Sequence, residues 1–271
     1  MDPLAAKRGP EASGAGAGPL LEVRGLTLHF GGILALDEVS FTVAEGEIVG
    51  LIGPNGAGKT TLFNVLSRLY RPGAGEVRFA GRSLLSLSPH GIAAAGIGRT
   101  FQNLALFGSM TVRENVMVGA HATGVSSFLG NALALPAVRR EERRLGSEAR
   151  RMLGLLGLEE VAERPIQSLP FGTQKRVEIA RALASAPRLL LLDEPAGGLN
   201  HEEVAELAEV LRRIRAALRV TMLLVEHHMS FVMSVSDRVV ALDFGRVIAE
   251  GTPAEVQADE AVIEAYLGRA K

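Results

Sequence analysis

Residues 53–60 read Gly-Pro-Asn-Gly-Ala-Gly-Lys-Thr, a full match to the phosphate-cradling pattern G-x-x-x-x-G-K-[ST]. Gly53, Gly56 and Gly58 let the backbone turn tightly and approach phosphate where a Cβ would clash. With Pro54, Asn55 and Ala57 between them, the loop presents a row of N–H groups to an anion. Lys59 is the point charge for β- and γ-phosphates, Thr60 the hydroxyl for Mg²⁺, and Thr61 stands beside it at the helix start. That chemistry is the binding of a nucleoside triphosphate.

Two further clusters could act on such a ligand. Leu189 to Leu192 form an apolar run that ends in Asp193-Glu194-Pro195. Carboxylates at the C-terminal end of a buried strand stand where α/β sheets place ligands. Asp193 is the acidic partner of Thr60 for Mg²⁺, and Glu194 the group to polarise a water for attack on the γ-phosphate. A second apolar run, Val220 to Val225, delivers Glu226-His227-His228. One histidine there can hydrogen-bond the γ-phosphate and its attacking water. Neighbours on an extended chain point opposite ways, so only one of the pair is assigned this role.

These residues need elements to position them. Glu47 to Ile52 is short, apolar and rich in β-branched residues, a buried parallel strand leading into the loop. Thr61 to Leu69 has helical apolar spacing. Strand, glycine loop and helix together aim loop N–H groups and a positive helix end at phosphate. Earlier, Leu21–Arg24, Leu26–Phe30, Val39–Val43 and Glu76–Phe79 alternate apolar and polar residues as half-buried antiparallel strands do. Helices are expected over Val112–Ala120 and Val138–Leu156, and after Gly172 the alternation of helix and strand is that of a parallel sheet with crossovers. The charges from Arg139 to Arg144 have mixed signs at i,i+3 and i,i+4 spacing, the signature of a solvated helix face. Thr252-Pro253-Ala254-Glu255 reads as a capped helix start, with the helix packing Val256, Val262, Ile263 and Tyr266 on the core.

Composition bounds the rest. A chain of 271 residues with net charge -1 buries a substantial core and carries no global basic field for nucleic acid, so no nucleic-acid partner is expected. With 0 cysteines there are no disulfides, thiolate metal sites or thiol nucleophiles. Mean hydropathy is +0.21, yet every apolar run falls short of the ~18 residues a spanning helix needs. Residues 1–19 are expected to form a flexible, Gly/Ala-rich tail without the apolar segment of a signal peptide.

Between the helical stretch and the Asp193 strand lies Leu169-Pro170-Phe171-Gly172-Thr173-Gln174. With this segment in place, residues 20–271 resemble an ATP-binding cassette (ABC) transporter nucleotide-binding subunit, its motifs in family order. The resemblance implies an α/β P-loop NTPase: a RecA-like core, an antiparallel β layer, and an α-helical signature subdomain inserted at roughly 103–175. It implies that Leu169, Phe171, Gly172 and Gln174 belong to the signature, which faces the nucleotide of a second subunit. Gln102 matches the Q-loop, which contacts Mg²⁺ and relays to the membrane partner. Gly197 to Asn200 match the D-loop, His227 the switch histidine, and Phe30 the aromatic that stacks on adenine. The cofactors implied are ATP and Mg²⁺. The partners implied are a second ATPase subunit (self or paralogue), transmembrane permeases and, indirectly, an extracytoplasmic solute-binding protein. The place implied is the cytoplasmic face of the inner membrane, peripherally.

Gly96 to Gln102, Ala196 to Asn200, Glu226-His227, the longer helical region Leu129–Arg144 and the closing Val262 to Gly268 are similar to the ATPases of bacterial branched-chain amino acid importers. Lipopolysaccharide-export ATPases share the Tyr-Leu-Gly ending but usually carry aspartate where Glu226 stands. Soluble non-transport ABC ATPases typically carry tandem cassettes or long coiled coils, where this sequence shows a single cassette; these two classes stand as the alternatives to amino acid import. Two departures stand out. Pro170 replaces the signature serine and removes one charge-assisted bond to phosphate, worth roughly 1.5–3 kcal/mol. Proline suits a first helical turn, so the helix end is expected to survive. Asn200 replaces a common aspartate while keeping hydrogen-bonding capacity.

Overall fold

The computed structural model describes residues 18–100, 104–121 and 136–267, with the side chains of 121–142 excepted. Most of the expected tail, Phe101 and Gln102, residues 129–135 and Gly268 lie outside the described residues. Alternation makes the first sheet: Leu21, Val23, Leu26 and Leu28 are buried on one face of β1 (Leu21–Phe30). This strand pairs antiparallel with β2 (Ile33–Val43) and β4 (Ala74–Phe79), and β5 (Arg82–Ser83) closes the order β2-β1-β4-β5. The two short strands expected over residues 21–30 are one. A register shift between Val23 and Leu26, with Gly25 at φ 54°, returns Leu26 to the buried face.

The second sheet runs β10-β9-β3-β8-β7-β6. Here β3 (Ile48–Ile52), β6 (Ile97–Arg99), β7 (Leu189–Asp193), β8 (Thr221–Val225) and β9 (Arg238–Asp243) are parallel, and β10 (Arg246–Gly251) is an antiparallel edge. Every residue of β3, β7 and β8 is buried, which is why their sequences are near-continuous apolar runs. Leu51 pairs with Val225, and Val225 with Asp193. The strands leading to the glycine loop, to His227 and to Glu194 therefore end on one level.

The helices Val112–His121, Pro136–Leu156 and Phe171–Leu183 pack together through Val116, Ala149, Met152, Leu153, Val177 and Ala180. Burial of each large apolar side chain there contributes about 1.5–3 kcal/mol. Among the described residues no helix is long and apolar enough to cross a membrane.

Two expectations about helices are corrected. The helix after the glycine loop spans Lys59–Leu66 and stops short of Leu69. Arg68 turns left-handed at φ 60°, and Leu69 and Tyr70 return N–H bonds to the Asn64 carbonyl. At the other end the single expected helix is two, Pro253–Ala258 and Glu260–Leu267. Asp259 is extended, and its Oδ1 accepts the N–H groups of Ala261 and Val262, capping the start of the second helix. Val256 and Val262 are buried, whereas Ile263 and Tyr266, expected on the core, are 43% and 39% exposed. The capping box is present, with Thr252 N–H on Glu255 Oε2 at 2.7 Å and Glu255 N–H on Thr252 Oγ1 at 3.4 Å.

Candidate nucleotide site

The glycine loop links the end of β3 to the Lys59–Leu66 helix, and its glycines divide their work. Gly53 (φ 148°) sits so close to β9 that a Cβ would lie 2.2 Å from the Leu242 carbonyl. Its smallness serves packing against the protein's own backbone. Gly56 (φ 83°) has nothing within 4 Å of a Cβ position and faces open space, the cradle a ligand would fill. Lys59 is only 5% exposed. Its Nζ donates to the carbonyls of Gly53 (2.7 Å) and Pro54 (2.9 Å). Burial lowers its pKa below the ordinary lysine value, with the Glu194 charge acting in the opposite sense.

A cleft of about 330 Å³ is lined by Asn55 to Thr61, Ile33, Leu34, Ala35, Phe244, Glu194 and His227. The loop and the two candidate reacting side chains thus share one cavity. His227 Nε2 and Glu194 Oε1 are 2.7 Å apart. His228 stands outside that contact, at the N-cap position of the helix Met229–Val235 with no side-chain capping bond. Asp193 is buried, and its Oδ2 accepts a hydrogen bond from Arg99 at 2.8 Å. Arg99 also donates to Asn64 Oδ1 (2.9 Å) and Ser67 Oγ (2.8 Å), tying the loop helix to the Asp193 strand. In sequence Arg99 is one residue of the Gly96–Gln102 segment, and nothing in its spacing pairs it with Asp193. A threonine hydroxyl and a carboxylate are hard oxygen donors of the kind Mg²⁺ takes, so Thr60 and Asp193 fit that ion.

Phe30 ends β1, 44% exposed and edge-on to the Tyr70 ring at 5.1 Å, and does not line the cleft. Leu169, Phe171, Gly172 and Gln174 do not line it either. Pro170 is the N-cap of Phe171–Leu183, so the helix end expected despite the proline is intact. The first-turn N–H groups of such a helix have no partner within it. The segment packs on Gly198 and on the helix that follows it: a Cβ at Gly198 would lie 3.0 Å from the Phe171 ring, and one at Gly172 would lie 2.6 Å from Glu203. Asn200 caps the helix His201–Leu218 in a reciprocal box with Glu203.

One contact had no sequence signal. The Tyr266 hydroxyl accepts the Gly53 N–H at 2.7 Å, so the last helix holds the first residue of the loop. Burial raises the phenol's pKa, keeping it neutral. Tyr266→Phe keeps the ring and removes this acceptor. Nucleotide affinity, read by equilibrium titration, is expected to fall about 3–10-fold, the effect of one lost hydrogen bond; unchanged affinity would free the loop from any dependence on Tyr266.

Residues 36–197 match the ABC transporter family, and residues 246–271 match the branched-chain amino acid ATP-binding cassette transporter family. The chain is 45% identical over 252 residues to the high-affinity branched-chain amino acid transport ATP-binding protein BraF of Pseudomonas aeruginosa, covering 93% of this chain and 99% of that one. It is 42% identical, with the same coverage, to LivG of Escherichia coli K12, which carries the same description. Among solved structures, the ADP conformation of the ATP-binding cassette MJ1267 superposes with a TM-score of 0.80 at 31% identity, covering 93% of this chain and 99% of that one. A dimeric post-hydrolysis state of the cassette MJ0796, bound to ADP and Pi, gives 0.71 at 26% identity, covering 86% of this chain and 98% of that one. Phosphate loop, carboxylates and histidine on one level of a parallel sheet, within a chain so matched, make this protein a member of the ABC transporter family, one of its ATP-binding subunits.

Proposed function

We propose that this subunit hydrolyses ATP to ADP and phosphate to power a bacterial importer of branched-chain or other hydrophobic amino acids. The observation that carries the reading is the 2.7 Å contact between His227 and Glu194 in the wall of the cleft that the phosphate loop lines. The loop N–H groups and Lys59 bind the phosphates. Glu194 orients a water and accepts its proton as the water oxygen attacks the γ-phosphorus and the β–γ bridging oxygen leaves. His227 steadies the Glu194 carboxylate and hydrogen-bonds the γ-phosphate. Thr60 and Asp193, with Gln102 from the Q-loop, would hold Mg²⁺, which supplies charge neutralisation on the β- and γ-oxygens.

Residues 20–271 act as one nucleotide-binding unit in this reading, with the helices within 103–175 as the subdomain that meets the permease. Leu169, Phe171, Gly172 and Gln174 lie outside their own chain's cleft, which supports their completing the site of a second cassette, self or paralogue. Closure on ATP and opening after hydrolysis then couple two sites to one permease through a difference in binding energy between two states. The subunit sits peripherally at the cytoplasmic face of the inner membrane, and a solute-binding protein outside chooses the solute. Cells producing the chain with its permease subunits are expected to take up labelled leucine, isoleucine or valine, and Lys59→Ala should abolish that uptake. Uptake untouched by Lys59→Ala would remove the energising role, and uptake of a different solute class would remove the substrate.

A further inference from the structure

Glu226 is 1% exposed and follows β8 immediately. Its Oε1 accepts the Ala196 N–H at 2.6 Å, and its Oε2 accepts the N–H groups of His227 (2.8 Å) and His228 (3.3 Å). One buried carboxylate therefore joins two backbone segments. One is the turn after Glu194, the other the segment that carries His227. Its burial is compatible with charge because the bonds all come from N–H donors.

The turn it grips is strained. Glu194 is left-handed at φ 47°, a conformation that costs a non-glycine residue free energy and persists only where neighbours over-determine it. Three groups do so. The Glu194 N–H donates to the Val225 carbonyl at 2.9 Å, and the Glu194 carbonyl accepts from Gly197 N–H (3.1 Å) and from the buried Lys175 Nζ (3.3 Å). Val225 and Glu226 are consecutive, so the end of β8 holds the turn by a carbonyl and a carboxylate at adjacent residues.

We propose that Glu226 is a positioning residue that fixes the backbone of Glu194 relative to that of His227, so that their side chains meet in the cleft. The proposal rests on the reading of those two residues as the reacting pair. Relative movement of the Glu194 turn and the His227 backbone must break the Ala196–Glu226 bond, the one of the three that crosses between the two segments.

Glu226→Gln keeps shape but replaces one acceptor oxygen by a donor NH₂, so one of the two segments loses its partner. Turnover is expected to fall by about 10-fold or more, with the KM for ATP within about threefold. Backbone amide exchange at Ala196 or at His227 and His228 should accelerate about tenfold or more, while Leu190 to Leu192 are unchanged. In a His227→Ala background the substitution should add little, since its effect passes through the pair. Turnover within twofold of the parent, a fully additive loss in that background, or faster exchange throughout β7 and β8 would overturn the proposal. Glu226→Asp, which keeps the charge but is one methylene too short to span both segments, gives the same readouts if the glutamine variant fails to fold. Glu194→Gln run alongside separates the two claims. If it retains turnover the catalytic reading fails, whereas the exchange data still judge the Glu226 tie.

Discussion

Glu194→Gln is expected to bind ATP with parental affinity while turnover falls by about 10²–10⁴-fold, the loss that follows removal of a general base. The amide preserves volume and can still face His227 Nε2, which lies 2.7 Å from Glu194 Oε1. It cannot take the proton of the attacking water. The ATP-bound state should therefore accumulate, and two subunits should be trapped closed head to tail. Pro170 adds a second readout. The signature offers helix N–H groups but no serine hydroxyl, so a self-pair lacks one bond to phosphate in each site. Steady-state phosphate release tests the chemistry, and the size-exclusion mass with ATP tests the pairing. Near-normal release would remove Glu194 from the reaction. Slow release without a dimer would place the better signature on a paralogous partner.

Legibility followed the range of the interactions. The phosphate loop is local, eight consecutive residues between a strand and a helix, and the strand–loop–helix order is as the spacing implies, although the helix ends at Leu66. The buried strands β7 and β8 were equally plain, because burial on both faces leaves an uninterrupted apolar run. Where two backbone states compete within a few residues, spacing alone failed. Arg68 and Asp259 each divert a chain whose apolar pattern continues, and in both places a local capping bond wins over the pattern. Contacts between segments far apart in the chain were invisible. Arg99 reaches Asp193 across 94 residues, and Tyr266 reaches Gly53 across 213. Neither carries a spacing rule. In sequence Glu226 marks kinship alone, because only the fold brings the Ala196 N–H, 30 residues away, to its carboxylate.

Lys59→Ala is expected to lose nearly all MgATP binding, a fall of about 10²–10⁴-fold if two charge-assisted bonds of roughly 1.5–3 kcal/mol each go. Its effect has two parts, and the structure separates them. Lys59 Nζ bonds the carbonyls of Gly53 and Pro54, so its removal also strips two loop oxygens of their donor. Loosening of the loop alone would lower the melting temperature of the nucleotide-free protein and weaken binding modestly. Loss of the phosphate charge would weaken binding far more than it lowers stability. Lys59→Met fills most of the buried volume without the charge, and it should match the alanine variant in affinity while melting nearer the parent. The depressed pKa of Lys59 gives an independent check. The amine binds phosphate only when protonated, so affinity is expected to decline as pH rises, beginning below the range where an ordinary lysine titrates. The methionine variant should show no such decline. Affinity within a few-fold of the parent in either variant would sink the assignment of residues 53–60 as the phosphate loop. With it would fall the reason for placing Glu194 and His227 at a γ-phosphate.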